Sequence, residues 1–284
     1  MSSRSAPDPP DRPSGAKARQ RAVWALGDFH RVARDVVWGL GPVLVDACGT
    51  GPGDRVLDVG AGTGNAALRA AERGAHVVAS DLTPELFDAG RREAADRGLE
   101  VTWTEADAER LPFDDASFDV VMSCIGAMFA PDHRAVADEM LRVCRPGGTI
   151  GMINWTPEGA IGRMFAVFGR HSPAPAPDGP PPVAWGREDH VRELLGERTE
   201  SLRMTRRELV VDHFSSPEEA VAHARRHFGP TIAAFAALRD DPEATAALER
   251  DFLGFAREWN LAGPGEPAVY RYEYLLVVAR VPEG

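Results

Sequence analysis

The sequence predicts a doubly wound α/β fold on a mostly parallel sheet. Three observations carry this prediction. A short apolar run, Val56-Leu57-Asp58-Val59, stops at three alternating glycines, Gly60, Gly62 and Gly64, and an alanine-rich helical pattern follows from Asn65 to Arg73. Short apolar runs and helical patterns then alternate as far as Asn154. With 284 residues and 44% hydrophobic content, the chain is of ordinary globular make-up, long enough for one large domain or one domain with a cap.

Composition narrows the function classes. The net charge of −11 gives no basic footprint, so neither nucleic acid nor an anionic membrane is expected as a partner. Cys48, Cys124 and Cys144 are isolated, with no C-x-x-C pair. That fits a reducing cytoplasm and supplies no zinc site, and no metal is expected. No apolar run reaches bilayer length, and the N-terminus lacks the apolar core of a signal peptide. The expectation is a cytoplasmic protein without membrane insertion; its oligomeric state is not indicated.

Taken in order, residues 1–16 are rich in Ser, Pro, Asp and Arg and read as a disordered tail. Residues 17–48 carry apolar residues at helical spacing, which predicts two helices broken near Gly27-Asp28. Trp24 and Phe29 flank that break. They are either packing anchors or part of a cover over a ligand. From 49 to 284 the main domain follows. Arg55–Val59 is the first strand, and its buried Asp58 needs a partner. Glycines at its end let the backbone turn tightly and let a ligand approach the main chain. His76–Ser80 is the second strand and ends at Asp81, next to Leu82. Thr83-Pro84 then reads as a helix start. Val101–Glu105 is the third strand, followed by Asp107 and Ala108. Phe118–Ser123 is the fourth, running on to Cys124 and Ile125. Asp132–Val143 is helical, Arg145-Pro-Gly-Gly148 is a turn, and Thr149–Asn154 is the fifth strand. Residues 155–186, with a run of prolines, read as an irregular lid loop. The sixth strand falls within 199–211. A capping box at Ser216 opens a helical insertion, residues 214–262, and Tyr270–Val278 is the last strand.

Two passages complete the pattern: Leu111-Pro-Phe113 leading to Ser117-Phe-Asp119, and Leu141-Arg-Val-Cys-Arg-Pro-Gly-Gly148 before the fifth strand. With Asp58 ahead of the G-x-G-x-G loop and Asp81 behind it, the stretch from Arg55 to Asn154 resembles the class I S-adenosylmethionine-dependent methyltransferases of the ubiquinone/menaquinone and small-molecule type. The Asn154-Trp-Thr-Pro-Glu-Gly159 passage and Lys17–Trp24 are similar to an actinobacterial branch of that family. The resemblance implies a Rossmann-like, seven-stranded sheet with the last strand antiparallel. It implies S-adenosylmethionine as cofactor, with S-adenosylhomocysteine as product. On it, Asp58 holds the loop of Gly60, Ala61, Gly62 and Gly64, and through it or water the ligand's ammonium. Asp81, beside Leu82, would accept from the ribose diol, which an ionised carboxylate does well. Asp107 would accept from the adenine amine, and the Ala108 N–H would meet a ring nitrogen.

Ligands bind beyond the carboxyl ends of parallel strands, so Cys124 and Ile125 should face the cofactor, and Met128, Phe129 and Trp155 should lie near an acceptor with Trp24 and Phe29. The implied reaction is direct methyl displacement onto an O, N or C atom of a small apolar or aromatic metabolite. If a base is needed, His133 is the first candidate, ahead of His30, His171, His213, His223 and His227. Tyr270, Tyr272 and Tyr274 share one face of the last strand, expected to be packed or exposed. Two other readings stay open. One is a nicotinamide-dependent oxidoreductase, against which Asn65 replaces the glycine a dinucleotide loop wants. The other is a non-catalytic protein that binds S-adenosylmethionine.

Overall fold

In the computed structural model, which describes residues 15–173 and 179–284, seven strands are assigned: β1 (Arg55–Val59), β2 (His76–Asp81), β3 (Val101–Glu105), β4 (Phe118–Cys124), β5 (Cys144–Trp155), β6 (Ser201–Val211) and β7 (Tyr270–Arg280). They form one sheet in the order β3-β2-β1-β4-β5-β7-β6. β1 to β5 pair in parallel, and β7 runs antiparallel to both β5 and β6. This is the predicted doubly wound α/β sheet with its last strand reversed. The apolar runs of β1 and β4 are buried because helices cover both faces of a parallel sheet. On one side α3 (Leu40–Cys48) packs with α4 (Asn65–Glu72) and on β4 and β5. α5 (Phe87–Asp96) packs on β3, and on the other side α6 (His133–Val143) packs on β4 and β5. Strand order reverses at β1, which lies between β2 and β4, so a crevice opens beyond the ends of β1 and β4.

Several boundaries differ from the sequence reading. Most of the segment read as a disordered tail lies outside the described residues, but Gly15 and Ala16 already belong to α1 (Gly15–Trp24). The second N-terminal helix is divided. A single turn, α2 (Phe29–Val32), is capped by the Asp28 carboxylate accepting from the Arg31 N–H at 3.0 Å; it passes into a π-helical turn, Ala33–Val37, before α3. Gly27 supplies the left-handed break at φ 73°. The Arg145-Pro-Gly-Gly148 turn is a bulge inside β5: Cys144 pairs with Phe118, the register shifts, and Thr149 pairs with Val120.

The largest correction is to the irregular lid. Residues Ala160–His171 form a helix, α7, whose buried Ile161, Met164 and Val167 recur at helical spacing. The core of the proline run, residues 174–178, lies outside the described residues. The insertion before β7 folds as α9 (Pro217–His227), α10 (Gly229–Ala237) and α11 (Pro242–Glu258), with α8 (Glu188–Leu195) preceding β6. α11 packs on α7 and α9. Among the described residues no helix is long and apolar enough to cross a membrane.

Candidate active site

The crevice at the strand ends is the mouth of a large cavity, and the glycine loop forms one wall of it. Gly60, Gly62 and Gly64 all take left-handed backbone, at φ 67°, 57° and 85°. A side chain in that region is strained, and at Gly64 a Cβ would also lie 2.6 Å from the Trp103 ring. Gly126, just past β4, lies against Gly60 so closely that a Cβ on Gly126 would fall 2.0 Å from the Gly60 carbonyl oxygen. Gly60, Ala61 and Gly62 line the cavity, whereas Gly64 caps α4 behind it.

Asp58 is 1% exposed and sits behind the loop, outside the cavity lining. Its Oδ2 accepts the Ala67 N–H at 2.9 Å, and Oδ1 has no protein partner. Asp58 therefore ties the start of α4 to β1. Burial pushes its carboxyl up to about 7, against the single N–H bond that favours ionisation. Because the folded value is raised above the unfolded one, the associated stability is full below about pH 4 and is lost as pH rises through the folded value. Asp58→Asn keeps an oxygen for Ala67 and removes the titration. Relative to the parent chain in the absence of ligand, this variant should gain on the order of 2 kcal/mol between about pH 5 and pH 8, read from paired thermal melts; parallel pH profiles would refute it.

Asp81 ends β2 and faces the cavity. One carboxylate oxygen accepts the Gly62 N–H and the other the Thr83 N–H, each at 2.8 Å. Burial raises this carboxyl above its ordinary value, outweighing both N–H bonds. Leu82 lines the cavity beside it. Asp107 and Ala108 line it beyond β3; the Asp107 carboxylate accepts the Glu109 N–H at 3.0 Å and pairs with Lys17 of α1. Further along α1, Gln20 donates to the Phe129 carbonyl at 2.7 Å, and Arg21 bonds Glu85 at 2.9 Å and Glu105 at 2.7 Å. These polar bonds tie the first turns of α1 over the strand ends, and Trp24 at its C-terminal end packs on Phe29, Phe129 and Phe228. The sequence reading did not single out Lys17, Gln20 or Arg21, because their partners lie sixty or more positions away.

Cys124 and Ile125 line the cavity at the end of β4. Burial pushes the Cys124 thiol well above its ordinary range, so it is no thiolate nucleophile. Ile125 holds φ 61°, an uncommon conformation for a β-branched residue, with its N–H bonded to the Ile153 carbonyl at 2.9 Å. Thr63 and Asn65 also line the wall; Thr63 Oγ1 and Asn65 Oδ1 are buried without protein partners, and Asn65 Oδ1 lies against Gly41 of α3.

The opposite end is apolar. Trp24, Phe29, Phe129 and Trp155 line it, joined by Phe165 of α7 and Phe252 of α11. Trp24 stacks edge-on against Phe29 at 5.6 Å and Phe129 at 4.7 Å. Two candidates fall elsewhere. Met128 is fully buried in the core rather than on the wall. His133 is also off the wall: it starts α6, is 3% exposed, and packs against Trp185 with Nδ1 2.9 Å from His190 Nε2. Burial lowers its pKa to about 4, and nearby His190 adds to this. The short turn Ala127–Phe129 and Pro131 carry the chain away from the strand ends before His133 is reached.

His30, His171, His213 and His227 do not line the cavity either; His223 does. So do Tyr270 and Tyr272, which corrects the expectation of a merely packed or exposed tyrosine face; Tyr274 remains in the core.

Residues 56–148 match the model of a methyltransferase domain. An uncharacterized protein of Mycobacterium tuberculosis, Rv1405c, is 47% identical over 262 residues, covering 92% of this chain and 94% of that protein. The demethylmenaquinone methyltransferase of Thermus thermophilus is 41% identical over 118 residues, 40% of this chain and 54% of that enzyme. Among solved structures, the YcgJ protein of Bacillus subtilis superposes with a TM-score of 0.58 at 18% identity, over 86% of this chain and 98% of its own, a likeness of fold. The methyltransferase-domain match spans the glycine loop, Asp81 and Asp107, and the chain belongs to the class I S-adenosylmethionine-dependent methyltransferases.

Proposed function

We propose that the chain transfers the methyl group of S-adenosylmethionine by direct displacement to a small, largely apolar acceptor. One observation carries this reading: a single cavity joins a polar end, with the glycine loop, Asp81 and Asp107, to an aromatic end. The polar end fits the cofactor. Asp81 keeps lone pairs for a diol, and Asp107 presents a carboxylate at the far edge. Bound there, the cofactor supplies a methyl group already activated by its sulfonium. The residues of the chain then orient the acceptor and exclude water, which together account for about 7–11 kcal/mol of barrier in well-aligned reactions. The aromatic end sets the acceptor's character. The matched Thermus enzyme, by its name, acts on demethylmenaquinone, which agrees with an apolar acceptor.

Calorimetry with S-adenosylmethionine, S-adenosylhomocysteine and a nicotinamide dinucleotide tests the reading. Saturable binding of the first two and none of the third is expected. Binding of the nicotinamide alone would put an oxidoreductase in its place.

A further inference from the structure

The aromatic half of the cavity is interrupted by polar atoms at one edge, where α9 meets the start of β7. His223, on α9, lines the cavity, and its Nε2 lies 2.9 Å from the Asp35 carboxylate. Asp35 also accepts from Arg31 Nε at 2.5 Å and lies 3.4 Å from His213. Burial raises the Asp35 carboxyl, but the bonds from Arg31 and His223 outweigh it and hold the group below its ordinary value. It is a fixed anion, and it fixes the imidazole tautomer: with Nε2–H donated to Asp35, Nδ1 is left as a lone-pair acceptor. Among the described residues Nδ1 has no hydrogen bond to protein. Burial, joined by the neighbouring His227 and His213, lowers the His223 pKa against the pull of Asp35, which favours the neutral ring. Near it, Tyr270 is 2% exposed and lines the same cavity, and its hydroxyl has no protein partner. Both rings belong to one neighbourhood: Phe214 packs on His223 at 5.1 Å and is clustered with Tyr270. A buried hydroxyl without a protein partner is costly unless a ligand completes it, and the oriented imidazole lines the same cavity.

We propose that His223, oriented by Asp35, is the general base of the transfer and that Tyr270 hydrogen-bonds the acceptor, which is therefore a hydroxyl group, phenol-like, on an apolar body. This rests on the methyltransferase reading above. In the step, a lone pair of the acceptor oxygen forms the new C–O bond, and the methyl–sulfur bond breaks with its electrons left on sulfur. The hydroxyl proton passes to His223 Nδ1 and from there to solvent. Asp35 is a positioning residue; it touches neither partner. The design suits a hydroxyl, which must lose its proton as it attacks, and uses a neutral base near neutral pH.

The test uses 1-naphthol and its methyl ether, 1-methoxynaphthalene, titrated into protein saturated with S-adenosylhomocysteine. The hydroxyl compound should bind at least about tenfold more tightly than the ether. His223→Gln should erase most of that preference, Tyr270→Phe should weaken both probes because each keeps an oxygen that accepts the tyrosine O–H, and neither variant should change S-adenosylhomocysteine affinity. Acidification should erase it in the parent chain as His223 becomes protonated below the ordinary imidazole value, and should have no such effect in His223→Gln. The charged and titratable groups packed around this ring are Asp35, Arg31, His213, His227 and Glu219; Asp35→Asn should weaken the preference without abolishing cofactor binding. Equal binding of the two probes, no binding of either to the loaded protein, or a preference that survives in His223→Gln at all pH values overturns the proposal. Where His223→Gln does not fold, the pH series in the parent chain decides: a preference unchanged on acidification overturns the proposal. Absence of S-adenosylhomocysteine binding would instead overturn the methyltransferase reading.

Discussion

Alanine at Gly126 should destabilise the protein by about 3 kcal/mol or more, a fall in Tm of roughly 2–4 °C per kcal/mol. The added Cβ would lie 2.0 Å from the Gly60 carbonyl oxygen and 2.6 Å from its carbonyl carbon. Both are backbone atoms, so no side-chain rotation relieves the clash; the β4 exit or the glycine loop must move. Movement there displaces Gly60 and Ala61 from the cavity wall, so cofactor affinity should fall with stability. Gly254→Ala is the matched control. It lies on the exposed side of α11, and its Cβ would meet nothing within 4 Å. That substitution should stabilise by about 0.5–1 kcal/mol through helix propensity. Differential scanning calorimetry on the two variants decides: a Gly126→Ala protein melting with the parent would show that the two backbones are not in contact.

The second large effect is on ligand affinity. Asp81→Ala should weaken S-adenosylmethionine binding at least about a hundredfold. Hydrogen bonds to a charged group are each worth about 1.5–3 kcal/mol, and a diol would make two of them with this carboxylate. The substitution also orphans the Gly62 and Thr83 N–H groups, which loosens the loop that must receive the ligand. Asp81→Asn separates the contributions: it can keep one N–H acceptor while losing the charge, and should fall between the two. Isothermal titration with an unchanged far-ultraviolet spectrum is the check. An Asp81→Ala protein that binds as the parent does would remove Asp81 from the cofactor site.

The parallel half of the sheet was legible because its signals are local. β1, β2, β4 and the end of β5 carry short apolar runs, β3 alternates Val101 and Trp103 with threonines, and punctuation by glycine, proline and aspartate marks the turns. Within β5 the punctuation misled: Arg145-Pro-Gly-Gly148 has turn chemistry, yet the chain keeps its pairing by bulging around it. α7 was obscured by its neighbours rather than by its own residues. Ile161, Met164, Phe165 and Phe168 have plain helical spacing, but the proline run beyond His171 pulled the whole segment towards an irregular reading. His133 shows the limit of proximity in sequence, since a turn of three residues suffices to send it into a different packing layer. The pairing of His223 with Asp35 spans 188 positions and depends on how α9 docks on the N-terminal helices. No periodicity within either segment encodes that docking.

The way α1 is fastened bears on traffic through the site. A cover secured by apolar burial opens at a cost that salt scarcely changes. While Trp24 at the far end of α1 rests on Phe29, Phe129 and Phe228, the first turns of the helix are anchored instead by ion pairs of Lys17 and Arg21 to Asp107, Glu109, Glu85 and Glu105, at partly solvated positions. Such pairs are individually worth about 1 kcal/mol or less and are screened over about 8 Å at physiological ionic strength. The first turns of α1 are thus held by an electrostatic latch: mobile ions compete for it directly, and rising salt should loosen those turns while the Trp24 contacts at the other end hold.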